Sequence, residues 1–132
     1  MLKRGMGAKV EEMIKTAKYI TQGGSPVLMC ERGIVTFSDA GRYTPDLNAV
    51  LMFQQQQFLT IFDPSHPAGR NDWVSHLALA GIAAGADGLI VEVNPDCEAK
   101  CDGKQALSFV QFEELMEKVK GISQVIHEGV GL

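Results

Sequence analysis

The stretch that decides the fold is FLTIFDPSHPAGR, residues 58–70. Its first five residues are almost wholly apolar, and Asp63-Pro64 closes a run that is too short for a helix but typical of a strand. Asp, Ser, His, Gly and Arg follow at once, as they do where a buried parallel strand delivers polar groups to a site. The stretch therefore predicts a strand near residues 58–63 with functional groups behind it.

The same plan recurs on both sides of this strand. PVLMC, residues 26–30, runs directly into Glu31-Arg32-Gly33, and GLIVEV, residues 88–93, is apolar except for Glu92. Both runs are predicted to be strands. Between and after the strands, apolar residues recur at three- and four-residue spacing. This periodicity predicts helices near residues 8–22, 45–53, 72–85 and 108–126.

Helix boundaries are predicted from residues that favour helix ends. Thr44, with Pro45 at the first helical position, is the expected N-cap of the second helix, and Asp72 is that of the third. Ser108 and Gln111 have the spacing of a capping box at the start of the last helix. Gly85 is expected to end the third helix.

Strict alternation of strands and helices predicts an α/β fold with a parallel sheet built from right-handed crossovers. Lys3, Arg32, His66 and Glu92 each fall where a strand ends, at intervals of roughly 30 residues, which is about one βα unit. Ligands bind at this end both in a TIM barrel and in an open doubly wound sheet. Three strands and a short stub cannot close an eight-stranded barrel. Residues 1–132 are therefore expected to form one domain that is either an open sheet or part of something larger.

Composition restricts the classes of function. A net charge of −4 argues against general nucleic-acid binding, which needs a surplus of Lys and Arg on one face. No apolar run reaches the roughly 18 residues of a membrane span, and no leader-like segment is recognised, so we expect a cytoplasmic protein without membrane contact. Three cysteines fit a reducing compartment better than a disulfide framework. The Cys97–Cys101 pair alone is weak support for a zinc site.

His66, Glu92 and Asp102 are the candidate metal ligands. One imidazole and two carboxylates from adjacent strand ends suit a divalent ion of the manganese, iron or zinc kind. Each residue also has an ordinary structural explanation: His66 can satisfy turn backbone, Glu92 can pair with a lysine, and Asp102-Gly103 is a common turn. Residues His76 and His127 fall within predicted helices and are expected at the surface.

Lys3, Arg4 and Arg32 are cations at the same rim, and Arg4 and Arg32 are each followed by Gly, which allows close approach to a phosphate or carboxylate. Arg42 and Arg70 are further candidates for anion binding. The alternative for all five is solvated surface charge, which is the usual situation of Lys and Arg.

Seven short motifs together resemble the C-terminal half of 3-deoxy-D-arabino-heptulosonate 7-phosphate (DAHP) synthase, of the type I-beta group. They occur in the family's order and spacing: Lys3-Arg4-Gly5-Met6, Cys30-Glu31-Arg32-Gly33, Asp63-Pro64-Ser65-His66, Gly69-Arg70, Ala84-Gly85-Ala86-Asp87-Gly88, Val91-Glu92-Val93 and Asp102-Gly103. The synthases of 3-deoxy-D-manno-octulosonate 8-phosphate are similar in plan, but the Asp-Pro-Ser-His and Gly-Arg motifs are closer to the heptulosonate enzymes.

The resemblance implies the C-terminal half of a (β/α)8 TIM barrel that condenses phosphoenolpyruvate with erythrose 4-phosphate in the shikimate pathway. It further implies that Lys3, Arg32 and His66 are catalytic groups, and that Lys3, Arg4, Arg32 and Arg70 bind substrate. His66, Glu92 and Asp102 would be three of four metal ligands. The family's fourth ligand, a Cys on the first barrel strand, and its erythrose 4-phosphate loop belong to the N-terminal half.

A chain with half of that site is expected to be inactive alone and to pair with itself or with a complementary N-terminal half. Two other hypotheses stay open at this point. One is a non-catalytic remnant or regulatory partner of a full-length synthase. The other is an open α/β module that binds a phosphorylated metabolite.

Overall fold

The computed structural model describes residues 1–95 and 102–129, with side chains to residue 126. Its centre is a four-stranded sheet in which all pairings are parallel and the strands lie side by side in chain order. The strands are β1 (Leu2–Lys3), β2 (Leu28–Glu31), β3 (Leu59–Phe62) and β4 (Gly88–Leu89). The predicted parallel α/β fold is confirmed.

Helices make every connection between the strands. They are α1 (Val10–Gln22), α2 (Leu47–Gln55), α3 (Ser65–Ala68), α4 (Asn71–Ala83) and α5 (Phe109–Gly129), with a 3-10 turn at Gly103–Gln105. Each of the first three strands is followed by a crossover that returns the chain to the end of the sheet where the strands begin. The carboxyl ends of all four strands therefore lie along one edge.

The N-cap of α2 differs from the sequence prediction. Asp46, not Thr44, is the N-cap, because its Oδ1 accepts a hydrogen bond from the Ala49 N–H at 3.3 Å. Thr44 is instead held in extended backbone by an antiparallel bridge to Ile34. A local cap signal at Thr44 is thus overridden by a pairing between segments ten residues apart.

The other boundaries follow the predictions to different degrees. Helix α4 starts at Asn71 after an extended Arg70, so Asp72 lies in the first turn and is not the cap. The strand expected at 88–93 pairs with β3 only through Gly88 and Leu89, because the following backbone turns away to bridge Val93 to Leu107. The capping box is confirmed, since Gln111 N–H donates to Ser108 Oγ at 3.2 Å and Ser108 N–H donates to Gln111 Oε1 at 2.9 Å.

The helices cover one face of the sheet. Met29 packs with α1 and α2, whereas Leu89 packs against α4 and α5 in a second cluster. Side chains alternate between faces along a strand, so the residues flanking these positions point to the other side. There Leu28, Leu59 and Ile90 are exposed, Leu59 by 58%. In the described part of the chain, the second face of the sheet therefore exposes apolar side chains.

Within residues 1–95 and 102–129, no helix combines the length and the apolar character that a bilayer crossing requires.

Close packing of α4 on β3 depends on Gly81. A Cβ built at Gly81 would collide with the Phe62 ring, lying 2.7 Å from Cγ, and Phe62 is fully buried. We expect Gly81→Ala to destabilise the chain by about 1–3 kcal/mol, since overpacking a closed core forces shifts of side chain and backbone. Urea unfolding followed by circular dichroism measures the change.

Gly121→Ala in α5 is the matched control. Apart from its chain neighbours and the nearby backbone of α5, no atom of the described residues lies within 4 Å of the added Cβ, so this variant gains helix propensity and should be more stable by up to about 1 kcal/mol. Equal effects of the two substitutions would contradict the packing assigned to Gly81.

Candidate metal and anion site

Three predicted metal ligands come together beyond the carboxyl edge of the sheet. His66 lies in α3, Glu92 follows β4, and Asp102 precedes the 3-10 turn, yet one ligand atom from each lies within 4.8 Å of the other two. All three residues are partly buried. One imidazole nitrogen and two carboxylate oxygens at this spacing match the ligand set of a divalent cation such as manganese, iron or zinc.

Backbone hydrogen bonds fix the first two of these residues. Asp63 Oδ1 accepts the His66 N–H at 3.1 Å, which holds His66 in the turn that leaves β3. Ser65 Oγ accepts the Glu92 N–H at 3.0 Å, while the Glu92 carbonyl accepts the Leu107 N–H at 2.9 Å. The Asp-Pro-Ser-His motif therefore positions both His66 and the neighbouring strand end.

Asp102 adopts a left-handed backbone conformation, with φ of 54°. Asp tolerates this region better than most residues, although it remains uncommon. Its Oδ1 accepts a hydrogen bond from Gln105 Nε2 at 2.8 Å, and Arg42 Nη1 lies 3.8 Å from the same oxygen. The side chain is thus oriented from two sides.

Asp63 is a site residue that the sequence analysis does not assign. It is 1% exposed, and its Oδ2 lies 2.7 Å from both Lys3 Nζ and His66 Nδ1. Both contacts are short but bent, outside the angles of a hydrogen bond. A signal was present in the sequence, since a carboxylate directly after a buried strand requires a cation nearby.

Arg32 lies at the same rim, with its guanidinium over the Tyr43 ring at 4.7 Å from the centroid. Arg42 approaches the same ring at 5.4 Å. In the described residues Arg32 makes no ion pair with a carboxylate. Arg32, Arg42 and Lys3 thus place three cations at the rim that also carries the carboxylates of Asp63, Glu92 and Asp102.

Arg4 lies in a different environment from the one predicted for a substrate ligand. It is 6% exposed, and its Nη1 lies 2.9 Å from Glu31 Oε2 and 2.7 Å from Asp46 Oδ2. Glu31 also accepts the Gly33 N–H at 2.7 Å. The Arg4 guanidinium is thus paired with carboxylates of the protein itself. These ion pairs link the end of β1 to β2 and to the start of α2.

The two ends of this buried cluster respond differently to burial. Burial alone would lower the pKa of Arg4, but hydrogen bonds with Asp46 and Glu31 outweigh it and raise the pKa. Burial raises the pKa of Glu31, and the hydrogen bonds from Arg4 and Gly33 offset only part of that rise. Arg4 is therefore the largest of the contacts that lower the pKa of Glu31.

Arg70 is exposed and forms a bidentate pair with Asp72, at 2.6 and 2.7 Å. Its guanidinium also lies 4.9 Å from the centroid of the Trp73 ring. His76 is exposed on α4, and the His127 side chain lies outside the described residues.

Cys30 is buried, and its Sγ contacts the Glu31 carbonyl at 3.8 Å. Burial, with the negative charge of Asp63, raises the pKa of its thiol to about 12. Cys97 and Cys101 lie outside the described residues.

Comparison with known proteins agrees with this arrangement. The sequence model described as the DAHP synthetase I family matches residues 1–128. The chain belongs to this family. A phospho-2-dehydro-3-deoxyheptonate aldolase of Thermotoga maritima is 44% identical over 129 residues, covering 96% of the chain and 38% of the relative. A 2-dehydro-3-deoxyphosphooctonate aldolase of Marinobacter nauticus is 33% identical over 116 residues, covering 79% of the chain and 41% of the relative.

Solved structures give the same result. A truncated form of 3-deoxy-D-arabino-heptulosonate 7-phosphate synthase from Thermotoga maritima superposes with a TM-score of 0.89 at 42% identity. The match covers 94% of the chain and 48% of that structure. The chain therefore has the fold of part of a DAHP synthase barrel, and it spans less than half the length of these relatives.

The buried Arg4 cluster yields a prediction about stability. Arg4→Met removes the cation and leaves Glu31 buried without its charged partner, which typically costs about 3–5 kcal/mol. We expect the urea midpoint to fall accordingly, and the variant to unfold at room temperature if the chain is only marginally stable.

Arg70→Met is the comparison variant, because Arg70 is an exposed arginine with an equally short ion pair. Exposed pairs contribute little, so its midpoint should stay close to that of the unmodified chain. A midpoint unchanged in Arg4→Met would contradict the structural role of the cluster.

Proposed function

We propose that this chain supplies the metal site and the phosphoenolpyruvate side of a DAHP synthase active site. In that proposal the complete barrel condenses phosphoenolpyruvate with erythrose 4-phosphate in the cytoplasm. The observation that carries it is the convergence of His66, Glu92 and Asp102 from three separate segments within 4.8 Å.

The donor set supports a resident divalent cation. Two carboxylates favour harder ions of the manganese type, and one imidazole is compatible with manganese, iron or zinc. With Asp63 against Nδ1, the His66 ring has Nε2 left for a metal. A cation held there would polarise the aldehyde carbonyl of the second substrate.

Lys3 and Arg32 are the residues proposed to hold phosphoenolpyruvate. Lys3 has a partly exposed ammonium on the inner side of β1, and its strand partner is Cys30, two residues before Arg32. The two cations therefore reach the rim from adjacent strands. In this proposal they neutralise the carboxylate and phosphate of the substrate as charge moves toward the transition state.

The proposal also requires a second half. Strands β1 and β4 are the outer strands of the described sheet, and the face bearing Leu28, Leu59 and Ile90 is apolar and open. Unpaired edges and exposed apolar faces favour association. We infer that the chain is completed by an N-terminal half barrel or, failing that, by a second copy of itself, and that it is inactive without one.

Metal binding is the first test of the proposal. Calorimetric titration of the purified chain with manganese should give one binding site per chain. His66→Ala should weaken binding by more than about 100-fold, since removal of a ligand exceeds the 10–100-fold loss typical of an outer partner. His76→Ala is the control, because His76 is an exposed histidine outside the cluster, and it should bind manganese as the unmodified chain does. Equal weakening in both variants would contradict the site.

Complementation tests the reaction itself. The chain is mixed with the N-terminal half of the Thermotoga maritima relative, and erythrose 4-phosphate, manganese and phosphoenolpyruvate are added. Consumption of phosphoenolpyruvate is followed by its ultraviolet absorbance. Turnover that depends on both halves and disappears with His66→Ala supports the proposal. Binding to an intact synthase without any turnover would instead favour a regulatory partner.

A further inference from the structure

Asp63 lies between the two parts of the proposed site. Its carboxylate is almost completely buried, and the same oxygen, Oδ2, is 2.7 Å from Lys3 Nζ on the anion side and 2.7 Å from His66 Nδ1 on the metal side. The backbone of Asp63 is fixed as well, since its N–H donates to the Glu31 carbonyl at 2.8 Å. A group so confined can hold its neighbours in defined orientations.

We propose that Asp63 is a positioning residue of the metal site: its carboxylate sets the orientation and the tautomer of the His66 imidazole. In this role Oδ2 faces a proton on Nδ1 and leaves the Nε2 lone pair for the cation. The inference rests on the proposed function and adds a residue that does not itself contact the metal.

The two carboxylate oxygens of Asp63 contact different parts of His66. Oδ1 accepts a hydrogen bond from the His66 backbone N–H, so the carboxylate is bound to the main chain of that residue. Oδ2 then lies against the ring of the same residue. Contact at both ends of one side chain restricts rotation about its torsions, so the ring is presented to Glu92 and Asp102 in one orientation.

Burial strengthens this role. His66 Nδ1 and Asp63 Oδ2 are both inaccessible to solvent, and neither has a hydrogen bond within the described residues, their own contact being short but bent. A proton on Nδ1 would lie beside a carboxylate, which attracts it, whereas a lone pair there would lie beside a negative charge. Metal-binding histidines commonly have a carboxylate behind the ring, and its removal typically lowers metal affinity by 10–100-fold.

Lys3 supplies the positive charge that offsets the cost of burying the Asp63 carboxylate. A buried carboxylate without a cation is strongly unfavourable, and the Lys3 ammonium is the cation nearest to Oδ2 among the described residues. The residue proposed to bind the substrate anion is thereby linked, through one carboxylate, to the residue proposed to bind the metal.

The tautomer of His66 tests this inference in the metal-free chain. Long-range nitrogen–proton correlation spectra of the 15N-labelled protein at pH 8.5 distinguish a proton on Nδ1 from one on Nε2, and His66→Ala assigns the signal. We expect the Nδ1–H form in the unmodified chain. Finding the proton on Nε2 in the unmodified chain would overturn the inference.

Asp63→Asn then tests the cause. It should lose the single tautomer, retain a similar unfolding midpoint and bind manganese about 10–100-fold more weakly. Asp39→Asn, which removes an equal charge from an exposed loop residue, should change neither the tautomer nor manganese affinity. An unchanged tautomer together with unchanged affinity in Asp63→Asn would overturn the inference. Absence of manganese binding by the unmodified chain would count against the proposed function, and the tautomer comparison would still decide the role of Asp63.

Discussion

The parallel register of β2 and β3 is the constraint on which the rest of the structure depends. Four consecutive pairs, from Leu28 with Leu59 to Glu31 with Phe62, stop both strands at the same level. The residues that follow, Arg32 on one strand and Asp63 on the other, therefore emerge side by side. Each further βα unit adds another polar segment at that level, so groups far apart in the sequence meet at one end of the sheet.

The same constraint explains the division of polar groups between the two faces of the sheet. Glu31 points to the helical side, where Arg4 neutralises it and the Asp46 backbone N–H donates to its Oε1 at 3.4 Å. Asp63 points to the other side, where Lys3 neutralises it and His66 lies against it. One buried carboxylate thus holds the scaffold together, and the other belongs to the site. The cation is Lys3 of β1 in one pair and Arg4, the residue after β1, in the other. This short strand therefore stabilises the sheet through ion pairs with two buried carboxylates as well as through its backbone pairing.

Much of this could be predicted from local sequence patterns. The strand FLTIF, the helical periodicities and the grouping of His66, Glu92 and Asp102 follow from rules that act over a few residues, or from the rule that parallel strands end together. Contacts that do not follow from these rules could not be predicted. Thr44 has the chemistry of a cap, but its bridge to Ile34 moves the cap to Asp46. Arg4 has the sequence context of a ligand, but two carboxylates from later elements surround it.

The open face of the sheet is explained by the extent of the chain, because the chain spans only part of a barrel found in its relatives. The central claim is that its three clustered ligands nevertheless form a metal site. Anomalous diffraction from crystals grown with manganese tests this most directly. The account predicts one anomalous peak in contact with His66, Glu92 and Asp102. A peak elsewhere, or none at this cluster in crystals that hold manganese at other positions, would contradict it.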